Sequence, residues 1–378
     1  MNVPKLRFKE FNDEWQNYKV EEILKISNGI NKEKEFFGSG SPIINYMDVN
    51  KNELISHNIV KGLVTANSKE LETFNVKKGD ILFTRTSETS DEIGLSSSVI
   101  ENIDKCIFSG FILKGTQTKQ FIHPYFGGYY FRNPKMRKEI IKHSSITTRA
   151  LTSGSLLSQM SISIPTIIEQ EKIGKTLSLL DKKIELQTKK IEDLKLFKKG
   201  LSNNIFNNLK DFEEYKLGDL CNITTGKLDA NAMVENGKYR FYTCAKEYSF
   251  IDEYSFDTEA LLISGNGAYV GYIHYYNGKF NAYQRTYVLD QFSQNIQFIK
   301  CYLDENLSRR IKSEKKEGNT PYIVLSTLSD MIIKVPSKEN QKNISNIINY
   351  HQKKILLEEN KLQKLQELKK GLMQNMFV

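Results

Sequence analysis

Residues Pro165 to Phe206 read PTIIEQEKIGKTLSLLDKKIELQTKKIEDLKLFKKGLSNNIF, and Pro336 to Phe377 read PSKENQKNISNIINYHQKKILLEENKLQKLQELKKGLMQNMF. The segments align without a gap, 171 positions apart, with 15 identities in 42 positions. Average composition would give roughly two or three, so the chain carries an internal repeat. The register continues upstream: Ile140 matches Ile311, Leu157 matches Leu328, Met160 matches Met331 and Ile162 matches Ile333. A second correspondence lies where two globular regions begin, WQNYKVEEILKISNG from Trp15 against FEEYKLGDLCNITTG from Phe212, at an offset of 197. Each half therefore begins and ends alike, and the first is 26 residues longer in its middle. Such a pattern fits one scaffold carrying two different specificities.

The repeated segments read as helices. Their apolar residues recur at 3-4 spacing: Leu177, Leu180, Ile184, Ile191, Leu194, Leu201 and Ile205 in the first, Ile344, Ile348, His351, Ile355, Leu362, Leu365, Leu372 and Met376 in the second. That narrow stripe suits helix pairing, and a helix carrying it needs a partner of equal length. The repeat itself is the obvious one, packed antiparallel, although two separate surface helices or a homodimerising coiled coil would also satisfy the pattern. Thr166 with Glu169 forms a capping box after Pro165, and Ser337 starts the second helix without the glutamate. His351 reads as a packing residue, and Gly200 and Gly371 as helix ends or points of close approach.

A chain of 378 residues suits two domains, and 39% hydrophobic with 26% charged residues is ordinary for a folded protein. No apolar run reaches the roughly 18 residues of a membrane span, and the start lacks an apolar signal core, so the expected location is cytoplasmic. Cys106, Cys221, Cys244 and Cys301 form no CxxC pair, which argues against disulfides and zinc. The net charge of +9 points to an acidic partner. Its distribution tempers that inference: residues 1–164, 165–210 and 336–378 each carry +4, whereas 211–335 carry −3.

Both globular regions read as α/β with short strands. Gly79 to Thr84 and Cys106 to Leu113 look like strands in the first, Glu259 to Ser264 and Arg285 to Leu289 in the second. A polar link follows one strand in each region, and its short side chains suit base and phosphate contacts. The DNA-binding candidates are Thr84, Arg85, Thr86 and Ser87 in the first link, and Ser264, Asn266 and Tyr269 in the second. Basic clusters add phosphate-contact candidates: Arg137, Lys138, Lys142 and Arg149, then Arg309, Arg310, Lys312, Lys315, Lys316 and Asn319. Any one of these residues can equally belong to an ordinary loop or solvated helix face.

The paired halves, the strand-Pro-helix junctions ISIPTIIEQEKI and IIKVPSKENQKNI, and the repeated KKGL together resemble the specificity (S) subunit of Type I restriction-modification systems. The resemblance covers essentially the whole chain. It implies an α+β architecture of two α/β target recognition domains joined by two long antiparallel helices in a coiled coil, with a pseudo-twofold internal repeat. On that reading residues 1–164 and 211–335 are the recognition domains, and 165–210 and 336–378 the central and C-terminal spacer helices. Each domain would read one half of a bipartite, asymmetric double-stranded DNA target. The helices would space the halves and dock two methyltransferase subunits, with restriction/translocase subunits completing the complex. The chain itself would be non-catalytic and bind no cofactor, leaving S-adenosylmethionine, ATP and Mg to its partners. The second junction departs from the Glu169-Gln170 pair by keeping only Gln341.

Two other readings compete with this one. Phe36-Phe37-Gly38-Ser39-Gly40 matches the FxGxG of adenine methyltransferases by letters, but the NPPY or DPPY that would hold a flipped adenine is absent, Asn133-Pro134 being followed by Lys135 and Met136. Gly265-Asn266-Gly267 lacks the third glycine of a dinucleotide fingerprint, and there is no Walker A sequence or metal-ligand spacing. A self-contained methyltransferase is thus disfavoured, while a coiled-coil interaction scaffold that reads no DNA draws support from the acidic second domain.

Overall fold

The computed structural model describes residues 3–146, 149–314 and 322–378. Both repeated segments are single helices, Ile167–Asn207 and Lys338–Asn375, each about 60 Å long at 1.5 Å per residue. The chain packs as two units, Met1–Thr188 with Asn360–Val378, and Lys189–Glu359. Each helix contributes one stretch to each unit, and in both units the stretches run antiparallel. In the first, Lys369 meets Asp181 at 2.6 Å, and further along Met376 and Phe377 share a core with Ile173 and Leu177. In the second, Glu358 meets Lys190 at 3.1 Å and Gln352 meets Lys198 at 2.8 Å.

The apolar stripe lies in these contacts. Leu177, Leu180, Ile191, Ile348 and Ile355 are buried, and Ile184, Leu194, Leu201, Leu362, Leu365 and Leu372 are half-buried. His351 is a packing residue, its ring 5.1 Å from that of Phe197. The seam's polar positions carry the repeat into the contacts: Lys198 and Lys369 correspond, as do their partners Gln352 and Asp181, so a lysine-amide bond in one unit replaces a lysine-carboxylate pair in the other.

The similar beginnings and ends of the two halves meet within each unit. Gln16–Lys19 pairs antiparallel with Ser161–Ile164, setting Tyr18 opposite Ile162. Phe212–Lys216 pairs in the same way with Ile332–Pro336, setting Tyr215 opposite Ile333. Gln170 and Gln341 then fasten each long helix to its unit. Each donates to the carbonyl of the preceding junction proline at 2.9 Å, and each accepts from the backbone N–H that opens a neighbouring helix, that of His123 at 2.8 Å or Asn295 at 3.0 Å. The two KKGL helices end in matching aromatic clusters, Phe377 on Phe126 and Tyr130, Phe206 on Phe298 and Tyr302.

Three local expectations fail for physical reasons. The Thr166 hydroxyl accepts from the Glu169 N–H at 3.5 Å, but the buried Glu169 carboxylate turns to Arg7, which binds both its oxygens at 2.8 and 2.7 Å. An ion pair with the N-terminal segment thus replaces the return half of the capping box. Gly200 and Gly371 lie inside their helices, and a Cβ at either would meet open space, so neither is a helix end or a close approach. The expected strand from Cys106 to Leu113 is two strands, Ile107–Phe108 and Ile112–Gln117, because the chain turns between them, Ile112 N–H donating to Ser109 O at 3.0 Å, and a side chain at Gly110 would collide with Asn31.

The first unit's main sheet has five strands in the order Leu24–Asn28, Ile112–Gln117, Ile81–Thr84, Ser96–Val99, Leu54–Ile55. The second unit's has six: Asn222–Thr225, Thr286–Asp290, Phe256–Ser264, Ile273–Ala282, Tyr239–Tyr242, Ser249–Ile251. The strand carrying the polar link, Ile81–Thr84 or Phe256–Ser264, lies inside its sheet, and the residues nearest the link are buried. The Phe36–Gly40 segment forms no phosphate-binding loop. Its residues from Phe37 on are the exposed start of the strand Phe37–Ile44, with Gly38 and Gly40 at φ of 107° and 101°.

Candidate nucleic-acid interface

Each link is built on the same backbone pattern. In the first unit the Thr84 N–H donates to Leu95 O at 2.9 Å, and Gly94 N–H donates to Thr84 O at 3.1 Å. In the second, Ser264 N–H donates to Tyr272 O at 2.9 Å and Gly271 N–H to Ser264 O at 2.8 Å. Gly94 and Gly271 both take positive φ, 60° and 80°. A Cβ there would lie 2.5 Å from Ile140 or 2.7 Å from Ile311, residues that correspond in the repeat. Glycine is required twice, by conformation and by space.

The next residues are held on two sides. Arg85 N–H donates to Phe111 O and Thr152 N–H to Arg85 O, at 2.9 and 3.0 Å; Gly265 N–H donates to Arg285 O and Ile323 N–H to Gly265 O, at 2.9 and 2.8 Å. One step on, Thr86 lies opposite Leu151, and Asn266 opposite Tyr322. Residues directly opposite across an antiparallel pair project from the same face. Each unit thus carries a platform of three short segments at the end of its sheet, alike in backbone and different in side chain. The first presents Arg85, Thr86, Phe111 (63% exposed) and Leu151 (41%). The second presents Asn266, Tyr269 (44%), Arg285 and Tyr322 (62%), with the Lys246 ammonium 5.2 Å above the Tyr269 ring.

The sequence-derived candidates separate accordingly. Thr84 is buried, and its hydroxyl donates to Glu92 O and accepts from Leu95 N–H, both at 2.9 Å, so it presents nothing to a ligand. Ser264 occupies the same buried place, and Ser87 is buried with its hydroxyl accepting from Thr89 N–H at 3.2 Å. The expected loop at Thr86–Ser87 is a strand edge paired to Ala150–Leu151. Arg137 turns inward: its guanidinium donates to Asp91 O at 3.0 Å and Ile93 O at 2.5 Å, and burial pushes its pKa down to about 10. It holds the polar link from beneath and is not free for a phosphate. Arg309 is occupied by Asn203 and Glu305, at 2.6 and 2.9 Å, and Arg310 by Glu314 and the carbonyls of Ser326 and Asp330. Lys138, Lys142, Arg149 and Lys312 are exposed. Lys315, Lys316 and Asn319 lie outside the described residues.

Sequence reasoning missed Lys246, Phe111, Leu151, Arg285 and Tyr322 as site residues. Phe111 is hidden in the apolar run CIFSGFIL, where the Ser109-Gly110 pair is the only sign of a break. Arg285 stands one residue before its strand, Thr286–Asp290, rather than in it. Among the described residues no group of three or more His, Cys, Asp or Glu could hold a metal ion, and no helix is long and apolar enough to cross a membrane.

Comparison with known proteins bears on the family and the fold. The family model described as the Type I restriction modification DNA specificity domain matches residues 12–196 and again 209–367. The Type I restriction enzyme EcoDI specificity subunit of Escherichia coli is 39% identical over 135 residues, which are 36% of this chain and 30% of that subunit's own length. The crystal structure of a Type I restriction-modification S subunit from M. genitalium superposes with a TM-score of 0.68 at 18% identity, over 100% of this chain and 99% of that one. A chain from a structure addressing complex assembly and conformational transition of the type I R-M system gives 0.59 at 15% identity, covering 95% and 96%.

Proposed function

Because the chain belongs to the family of Type I restriction modification DNA specificity domains, we propose that it is the non-catalytic DNA-recognition subunit of such a system. Each unit's platform reads one half of a bipartite, asymmetric target. The observation that carries this reading is the paired platform itself: matched backbone hydrogen bonds, matched positive-φ glycines, and unlike exposed side chains. Conserving the frame while varying the surface is what two readers of different sequences require. The seam of the two long helices fixes the separation of the half-sites, and their outer faces dock two methyltransferase subunits. Those subunits and the translocase subunits supply S-adenosylmethionine, ATP and Mg. The modest charge of the second unit fits base-edge reading with part of the phosphate contact left to partner subunits.

The test is modification-sensitive long-read sequencing of DNA from a host expressing this chain, its methyltransferase subunit, or both. N6-methyladenine at one split, asymmetric motif only when both are present is the expected result. Methylation by the chain alone would make it an enzyme, and a motif indifferent to the chain would leave it a scaffold.

A further inference from the structure

Phe111 and Arg285 occupy one structural position in the two units. Each carbonyl accepts from the residue that follows the buried Thr84 or Ser264, at 2.9 Å in both cases. Each is followed by a residue whose N–H turns back three positions, Ile112 to Ser109 O at 3.0 Å and Thr286 to Tyr283 O at 2.8 Å. Both side chains are exposed, and the residue after the one each faces belongs to a cross-strand pair, Thr86 with Leu151 in one unit and Asn266 with Tyr322 in the other, of which Thr86 and Asn266 are half-buried. The backbone hydrogen bonds of the two units match at this position, and the side chain differs.

Their chemistry is opposite. Phe111 is 63% exposed and Leu151, on the same platform, is 41% exposed, so each leaves apolar surface in solvent. Arg285 is exposed and, among the described residues, has no ion pair or side-chain hydrogen bond, unlike Arg137, Arg309 and Arg310. An unengaged guanidinium on a fixed backbone matches the O6 and N7 acceptors of guanine, and the half-buried Asn266 amide of the same platform suits adenine. Phenylalanine, leucine and a threonine methyl meet the one apolar group of the major groove, the 5-methyl of thymine.

Resting on the recognition reading above, we infer that Arg285 and Phe111 are the specificity-determining pair of this chain. Arg285 selects a guanine in the half-site read by the second unit, and Phe111 selects a thymine in the half-site read by the first.

The experiment is the methylated motif of the chain assembled with its methyltransferase subunit, determined for the wild type and for Arg285→Ala, Arg285→Lys, Phe111→Ala and Phe111→Arg. Loss of one direct contact relaxes discrimination roughly 5- to 150-fold at a single base pair. Arg285→Ala should relax one guanine position of one half-site, and Phe111→Ala one thymine position of the other. Phe111→Arg should move that thymine position toward guanine. A motif unchanged by both alanine variants overturns the inference, as does a uniform fall in methylation that Arg285→Lys restores, which would make Arg285 a phosphate contact. If the wild-type assembly methylates no motif that depends on this chain, the recognition reading fails instead, and that outcome is distinct from the other two.

Discussion

Replacing Lys369 by alanine removes the cation that joins the second long helix to the first unit. Its ammonium lies 2.6 Å from Asp181 and 2.9 Å from Glu53, and all three side chains are only about a quarter exposed. Burial pushes the Glu53 carboxyl up, but the charges of Lys369 and Arg132 outweigh it and hold the group below the usual carboxylate range. Burial likewise lowers Lys369, and Glu53 with Asp181 outweighs it, leaving the lysine raised. Breaking a buried pair costs about 3–5 kcal/mol and an exposed one under about 1 kcal/mol. With this partial exposure we expect ~2–3 kcal/mol, or a Tm fall of roughly 5–10 °C. The corresponding Lys198 meets the neutral Gln352 on an exposed surface, so Lys198→Ala should cost under about 1 kcal/mol. The sign of the pH dependence follows from the shifts. Glu53 is depressed, so its contribution is complete above its unfolded value near 4.3 and lost as pH falls through its folded value. Lys369 is raised, so its contribution is complete below about 10.4 and lost as pH rises through its folded value. The deficit of Lys369→Ala should therefore be widest between about pH 5 and 10 and shrink in acid. Urea and thermal unfolding followed by circular dichroism measure it. An equal cost for the two lysines, or a deficit unchanged at pH 3, would refute the reasoning.

Burial pushes the thiols of Cys106 and Cys221 up to about 12 and that of Cys301 up to about 11, whereas Cys244 is half-buried. A colorimetric thiol reagent at neutral pH should accordingly titrate one thiol in the native chain and all four after denaturation, and two fast native thiols would contradict the packing. Gly200→Ala and Gly371→Ala meet open space inside their helices and should each stabilise the chain by roughly 0.5–1 kcal/mol, seen as a higher unfolding midpoint. Arg137→Ala should cost about 1–2 kcal/mol and speed amide exchange in residues 89–94 while leaving residues 265–272 unchanged. Equal exchange in both links would show that Arg137 does not support the first.

The sequence carried the scaffold because scaffold contacts repeat. Gln170 with Gln341, Phe206 with Phe377 and Ile140 with Ile311 keep both identity and role, and the alignment alone exposes them. The candidate recognition surface is less legible, since exposure decides it and periodicity does not report exposure at the end of a strand. Thr84 and Arg137 have the chemistry of DNA contacts, yet one is used inside the core and the other beneath a loop. Phe111 has the chemistry of a core residue and stands in solvent within the turn that the Ile112 N–H to Ser109 O bond closes. Glu169 was read as a cap because its partner, Arg7, is 162 residues away and nothing local points to it.

The proposed function is that one chain reads two separated half-sites at a fixed distance. Its most direct test is the affinity of the chain assembled with its methyltransferase subunits for short duplexes, measured by fluorescence anisotropy at constant salt. The duplexes carry both half-sites, either one alone, or both with two base pairs added between them. Tight binding only to the intact pair at native spacing, weakened at least about tenfold by each other change, is the predicted result. Equal binding to the duplex with altered spacing, or to either half-site alone, would contradict it.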